Sequence, residues 1–355
     1  MPRFQILSLI GGGIRGAFIT AYLREIEQRL GRPIAESFDL IAGTSTGGII
    51  AAGLSLGMSA EEMHNFYVEH GERIFTPRPK YKARGIMRLL FPLANYVFQR
   101  RTGGSLDAAF RARFCPDALQ SAFDKGFGNR KLEDVRFTRL IIPTVNLSRG
   151  QPYIFRSAHL PEGVQDQELS ISDIVVAATA APTYFPHRQI GDQAYADGGL
   201  WAADPSMLAF CEAMRIKQFC TREGIDSSYE TKDIFLLSIG TGRAQYSLKP
   251  PGGDAGLLYW APRVADVMGS SQAQGLHLPL KFLIGDRYRH VNFRMEQKWG
   301  LDEVEHIPKL FATGEQRASE TFEWVKDDFL QHQRDCYVPF TSADNLLELE
   351  EFGFE

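Results

Sequence analysis

The chain alternates short apolar runs with longer stretches of helical period. Phe4-Gln5-Ile6-Leu7-Ser8-Leu9-Ile10 predicts a core strand that ends in the loop Gly11-Gly12-Gly13-Ile14-Arg15-Gly16. Phe18, Tyr22, Ile26 and Leu30 then recur at four-residue steps, which predicts a helix with Gly31 as its stop. A second apolar run, Phe38-Asp39-Leu40-Ile41-Ala42, predicts a buried strand, and the small-residue run 48–54 predicts a buried helix. Between them lies Gly43-Thr44-Ser45-Thr46-Gly47. Residues 40–58 carry no charge, as a membrane span would, but the glycines, threonines and serines at their middle make a strand–turn–helix the better account.

Ser59-Ala60-Glu61-Glu62 is a capping box that opens a helix through about Arg73. Leu140–Val145 predicts a strand with Tyr153-Ile154-Phe155 as its antiparallel partner. Ser172 is expected to cap a helix that runs through Ala178 and stops at Pro182. Asp197-Gly198-Gly199 puts an acid on a turn, and Asp204-Pro205 starts a helix with proline at its first position. Asp233–Gly240 predicts another core strand, ending in Gly240-Thr241-Gly242. Residues 243–285 are weakly patterned, and 314–336 are helical through Phe322, Val325 and Phe329. With no repeat and no dividing linker, the expected architecture is one α/β domain, a central, mostly parallel sheet sandwiched by helices. Residues 4–245 would form its core and 246–355 its C-terminal part, where regulatory elements are expected.

Composition narrows the field. The 355 residues are 44% hydrophobic and 23% charged, enough to bury a large core, and the net charge of −4 argues against nucleic acid as a partner. Cys115, Cys211, Cys220 and Cys336 show neither a C-x-x-C pair nor a cysteine–histidine ligand spacing. No metal site and no disulfide framework is expected, and a reducing, cytoplasmic setting fits. The start, Met1-Pro2-Arg3-Phe4, lacks a signal-peptide pattern. From Arg73 to Arg101, Arg78, Lys80, Lys82, Arg84, Arg88 and Arg100 alternate with apolar and aromatic residues without one acid. Such a segment suits anionic lipid or a phosphorylated ligand; the plainer reading is a solvated excursion.

The candidate chemistry lies in the glycine-flanked turns. A serine between an incoming strand and an outgoing helix has its hydroxyl thrust clear of the backbone, and the helix N-terminus directs its positive end there. The first loop also satisfies G-x-G-x-x-G, which a dinucleotide site would need. That site would also want an acid at the end of the second strand. Here the strand ends in the serine turn, with Asp39 at its beginning. The loop can instead present backbone N–H groups beside Ser45 as an oxyanion hole, or be a tight turn without chemistry.

In order and spacing, Gly11-Gly12-Gly13-x-Arg15-Gly16, Gly43-x-Ser45-x-Gly47 and Asp197-Gly198-Gly199 resemble the patatin-like phospholipases, lipid acyl hydrolases with a Ser–Asp dyad. The resemblance implies that Ser45 is the nucleophile and Asp197 its base. It implies that Gly12 and Gly13, with Arg15 and the flanking Gly11 and Gly16, form the oxyanion loop. Gly43 and Gly47 would shape the elbow, and Gly198 and Gly199 the acid turn. Neither metal nor cofactor is implied. Since a free aspartate has a pKa of about 3.9, Asp197 is expected in a closed apolar pocket that raises it. Among bacterial members the chain is similar to the phospholipase effectors of cyclic-nucleotide-activated antiphage systems. That implies membrane phospholipid as substrate, a cyclic dinucleotide as activator, an activation-linked homo-oligomer, and action from the cytoplasm on the inner membrane. Besides a constitutive bacterial lipid acyl hydrolase with the same dyad, two other readings remain. One is an α/β-hydrolase in which His277, His290, His306 or His332 completes a triad with Ser45 and Asp197. The other is a catalytically idle anion-binding module built on the glycine loop.

Overall fold

The computed structural model describes residues 3–78, 95–96, 99–100, 111–225, 229–244, 256–260, 263–297, 299–334 and 338–340. Most of the basic–aromatic segment, including Lys80, Lys82, Arg84, Arg88 and Arg101, lies outside them, as do residues 245–255 and Cys336.

In chain order, β1 (Phe4–Leu9) leads through the glycine loop to α1 (Gly16–Leu30), and β2 (Leu40–Gly43) turns at Ser45 into α2 (Thr46–Ser55). The uncharged stretch 40–58 is therefore the expected strand–turn–helix. Next come α3 (Ala60–Ile74), α4 (Pro116–Phe127), β3 (Arg139–Asn146), β4 (Gln151–Arg156) and α5 (Ile171–Ala178). They are followed by β5 (Arg188–Ile190), β6 (Gln193–Asp197), α6 (Ser206–Arg222), β7 (Ile234–Ile239) and β8 (Arg243–Ala244). The chain continues with α7 (Leu257–Trp260), α8 (Val264–Gly275), α9 (His277–Ile284), β9 (Tyr288–Val291), β10 (Arg294–Met295) and α10 (Ile307–Val325).

The main sheet runs β5-β6-β3-β2-β1-β7-β9, with β4 also paired to β3. From β3 to β9 every pairing is parallel; β4, β5 and β6 form an antiparallel margin. Alternate residues of the parallel strands enter opposite layers. Leu7, Leu9 and Ile41 join the core beneath α1, α2 and α10, whereas Ile6, Leu40 and Ala42 join Ala209, Ala213, Leu280 and Ile284 of α6 and α9. Burial on both faces explains why these strands read as near-continuous apolar runs.

Several element ends confirm the local chemistry. Gly31 caps α1 at φ 75°, a left-handed conformation glycine adopts without strain, and Ser59 and Glu62 form the reciprocal capping box of α3. Others differ from expectation by a residue or two. Ser170, not Ser172, caps α5 by accepting from Asp173 N, and Pro205 is the N-cap of α6 instead of its first helical residue. The last long helix begins at Ile307, before Gly314, because Gly314 is a packing residue. A Cβ there would lie 2.5 Å from the Phe18 carbonyl, so glycine lets α10 lie close against α1. The weakly patterned region 243–285 holds α7, α8 and α9. Among the described residues no helix is long and apolar enough to cross a membrane.

Candidate active site

The register of β3 brings the two candidate residues together. Along one edge, β3 pairs with β2 through Arg139–Ile141 and then with β6 through Thr144–Asn146, while β4 occupies the other edge. The last of the β2 pairs is Ala42 with Ile141, and Asp197 faces Thr144. Where β2 leaves the sheet at its C-terminal end, the acid of β6 takes up the same edge. Ser45 Oγ donates to Asp197 Oδ2 at 2.6 Å.

The backbone at Ser45 is strained, with φ 53° and ψ −124°, a region that non-glycine residues rarely occupy. The turn closes only with glycine on either side. A Cβ on Gly43 would lie 2.1 Å from the Gly47 carbonyl, and one on Gly47 2.2 Å from the Leu9 carbonyl. Thr44 Oγ1 donates to Ala202 O at 2.6 Å, which ties the elbow to the segment just past the acid. On the acid's side, Gly199 N donates to Asp197 Oδ1 at 2.7 Å, and Trp201 Nε1 donates to Thr144 O at 2.8 Å.

Asp197 is buried, and burial pushes its carboxyl up to about 6 against the opposing pull of the hydrogen bonds from Ser45 and Gly199. Ser45 opens onto a narrow cleft lined by Ile14, Ile49, Ile74, Phe75, Leu119 and Tyr184 among others. The lining of this cleft is almost wholly apolar.

The glycine loop stands beside the elbow. Gly12 N donates to Thr46 Oγ1 at 3.2 Å, while Gly12 O accepts from Arg15 N and, at 3.1 Å, from Arg15 Nε. Arg15 thus braces the loop from within. Gly13 adopts φ 59°, and a Cβ there would lie 2.3 Å from Leu301 O; among the described residues its N–H has no acceptor. Gly11 N donates to Ala203 O, and Gly16 starts α1 packed against the Tyr67 hydroxyl. Sequence reasoning missed the supports of this loop. Leu301 O accepts from Ile14 N at 2.8 Å, and Thr241 Oγ1 donates to Gly11 O at 2.9 Å. Asn292 Oδ1 accepts from Gly242 N and Phe293 N. The only sequence signal among them was Gly240-Thr241-Gly242 at a strand end.

The histidines of the triad reading are engaged elsewhere. His277 Nδ1 bonds the Tyr288 hydroxyl, His290 Nδ1 bonds Ser238 Oγ at 3.1 Å, His306 pairs with Glu303, and His332 Nε2 lies 2.9 Å from Asp39 Oδ2. Among the described residues none of them bonds Ser45 or Asp197.

The family profile described as patatin-like phospholipase matches residues 7–210. A cGAMP-activated phospholipase of Escherichia coli is 34% identical over 258 residues, covering 70% of this chain and 65% of that protein. A cGAMP-activated phospholipase of Pseudomonas aeruginosa is 30% identical over 311 residues, covering 87% of this chain and 83% of its own. The chain thus spans just under two thirds of the Escherichia coli relative and more of the other. Among solved structures, VipD from Legionella pneumophila aligns over 91% of this chain and 67% of its own, at 11% identity and a TM-score of 0.45. By the extent of the profile match and by its relatives, this chain belongs to the patatin-like phospholipase family.

Proposed function

We propose that this protein is a serine lipid acyl hydrolase that acts through Ser45 and Asp197 on phospholipid esters and is switched on by a cyclic dinucleotide of the cGAMP class. The observation that carries the reading is the 2.6 Å hydrogen bond from Ser45 Oγ to a buried Asp197 whose carboxyl is raised to about 6. A base with that affinity accepts a proton from serine in the transition state yet remains ionised at neutral pH.

Ser45 Oγ attacks the ester carbonyl as its proton passes to Asp197, and the carbonyl π electrons move onto oxygen. Gly13 N–H and the N-terminus of α2 hold that oxyanion, joined by Gly12 N–H once it leaves Thr46 Oγ1. Collapse of the tetrahedral species breaks the ester C–O bond, and Asp197 returns its proton to the leaving alcohol. Water then attacks the acyl-serine, Asp197 takes its proton and hands it back to Ser45 Oγ, and a fatty acid departs. The acyl chain lies in the apolar cleft throughout.

The names of the relatives support activation by cGAMP, and a gate of that kind would restrain an enzyme that degrades membranes. The test is fatty-acid release from bacterial phospholipids with and without cGAMP, beside Ser45→Ala. The expected result is release that needs both the nucleotide and Ser45. Ser45-dependent release without nucleotide would remove the proposed regulation alone, and no release under any condition would overturn the hydrolase reading.

A further inference from the structure

Helix α9 is apolar on two sides. Leu280 and Ile284 are buried against Ala209, Ala213 and Tyr288 of the sheet's second layer, and they anchor the helix. The opposite side presents Leu278, 81% exposed, and Phe282, 90% exposed, one turn apart, with Leu283 half-exposed beside them. On α8, which precedes α9 directly, Val264 and Met268 repeat the same four-residue step and are also exposed. Water-facing phenylalanine and leucine gathered on one short stretch mark a surface that meets something apolar.

Charge and position select the occupant. Helix α9 itself carries Lys281 and no aspartate or glutamate, so no acid on this helix repels an anionic headgroup; Asp266 on α8 and Asp286 after α9 flank it in the chain. Lys281 lies between the apolar side chains, exposed and paired with Asp286 at 2.7 Å. The same pair of helices reaches the candidate active site. Gln272 Nε2 of α8 donates to Leu200 O at 3.2 Å, on the turn that follows Asp197.

We infer that the outer face of α9, with the exposed residues of α8, is the surface by which this protein docks on a phospholipid bilayer. Phe282 and Leu278 enter the boundary between headgroups and acyl chains, and α8 connects this face to the acid turn through Gln272. The choice of a bilayer as occupant rests on the lipid-hydrolase reading, since a phospholipid ester is met at such a boundary.

The experiment is co-sedimentation with vesicles of phosphatidylethanolamine and phosphatidylglycerol, using Ser45→Ala protein so that binding is read without turnover. The probe variant adds Leu278→Ser and Phe282→Ser, both outward and clear of the anchoring face. Vesicle affinity should fall at least about tenfold, as expected when two large apolar side chains no longer leave water. In otherwise wild-type protein with cGAMP present, hydrolysis of the same vesicles should fall in parallel, while hydrolysis of a water-soluble monomeric ester stays within about twofold. Unchanged vesicle affinity, or no binding by the parent protein, would overturn the docking surface whatever the chemistry. Loss of self-association in sedimentation velocity with vesicle affinity intact would assign the face to a second copy and overturn it as well. Phe282-dependent binding without any ester hydrolysis would leave the docking surface standing and remove the hydrolase reading alone.

Discussion

Two of the serine-centred polar assemblies on this sheet bear comparison, and the better-formed one is not the candidate active site. Ser157 Oγ bonds His159 Nδ1 at 2.9 Å, and His159 Nε2 bonds Glu212 Oε1 at 3.0 Å, a complete serine–histidine–acid line. Yet all three are buried, Ser157 Oγ accepts from Leu140 N at 2.9 Å, and Arg156 and Arg215 bracket the glutamate. Burial pushes the His159 imidazole down, against the opposing pull of the bond and charge of Glu212. Burial pushes Glu212 up, but the bond and charge of His159 and the charge of Arg156 outweigh it and hold the carboxyl below its ordinary value. This line is a cross-brace between β4 and α6. Ser45 has one partner fewer, but it stands on a strained turn at a helix N-terminus, faces a cleft, and bonds an acid whose affinity for protons is raised. Access and backbone strain, and not the number of aligned partners, are what single out Ser45 as the candidate nucleophile.

The comparison can be broken most directly by removing each serine. Ser45→Ala should lower lipid hydrolysis by about a thousandfold or more, and Ser157→Ala should leave turnover per folded molecule within about threefold. Equal losses would erase the distinction. Next in size is Glu212→Ala. It strands His159 and the Arg156 guanidinium in the interior and should cost about 3–5 kcal/mol in denaturant unfolding, with activity per folded molecule retained.

A third prediction uses pH. Asp197 must be ionised to take the serine proton, so kcat/KM should rise through about pH 6 and level off above it. The sign for stability is opposite. A carboxyl whose folded pKa is raised stabilises the fold at low pH and loses that contribution as pH rises through about 6. Asp197→Asn should therefore raise the unfolding temperature at pH 8 relative to the parent, by an amount that shrinks steadily as pH falls towards about 4. A flat activity profile from pH 5 to 8 would remove Asp197 as the base.

Much of this arrangement was legible in the sequence because its signals are local. The elbow pentapeptide, the acid before two glycines, the capping box of α3 and the strands β1, β2 and β7 depend on neighbours within a few residues. What escaped depends on distant partners. Tyr288–Val291 is a short strand recognisable only from its pairing with β7, and the supports from Leu301 and Asn292 arrive from far along the chain. Gly314 has the appearance of a helix boundary until α1 lies against it. The helices between 257 and 284 lacked a readable amphipathic pattern because α9 is apolar both where it packs and where it faces out.

The central claim is that Ser45 is an activated nucleophile with Asp197 as its base. Labelling with a fluorophosphonate, in the presence of cGAMP and mapped by peptide mass spectrometry, tests it most directly. The account predicts a single adduct on Ser45 that forms at least about a hundredfold more slowly in Asp197→Asn. An adduct on another serine, or a Ser45 adduct that forms equally fast in Asp197→Asn, would contradict it.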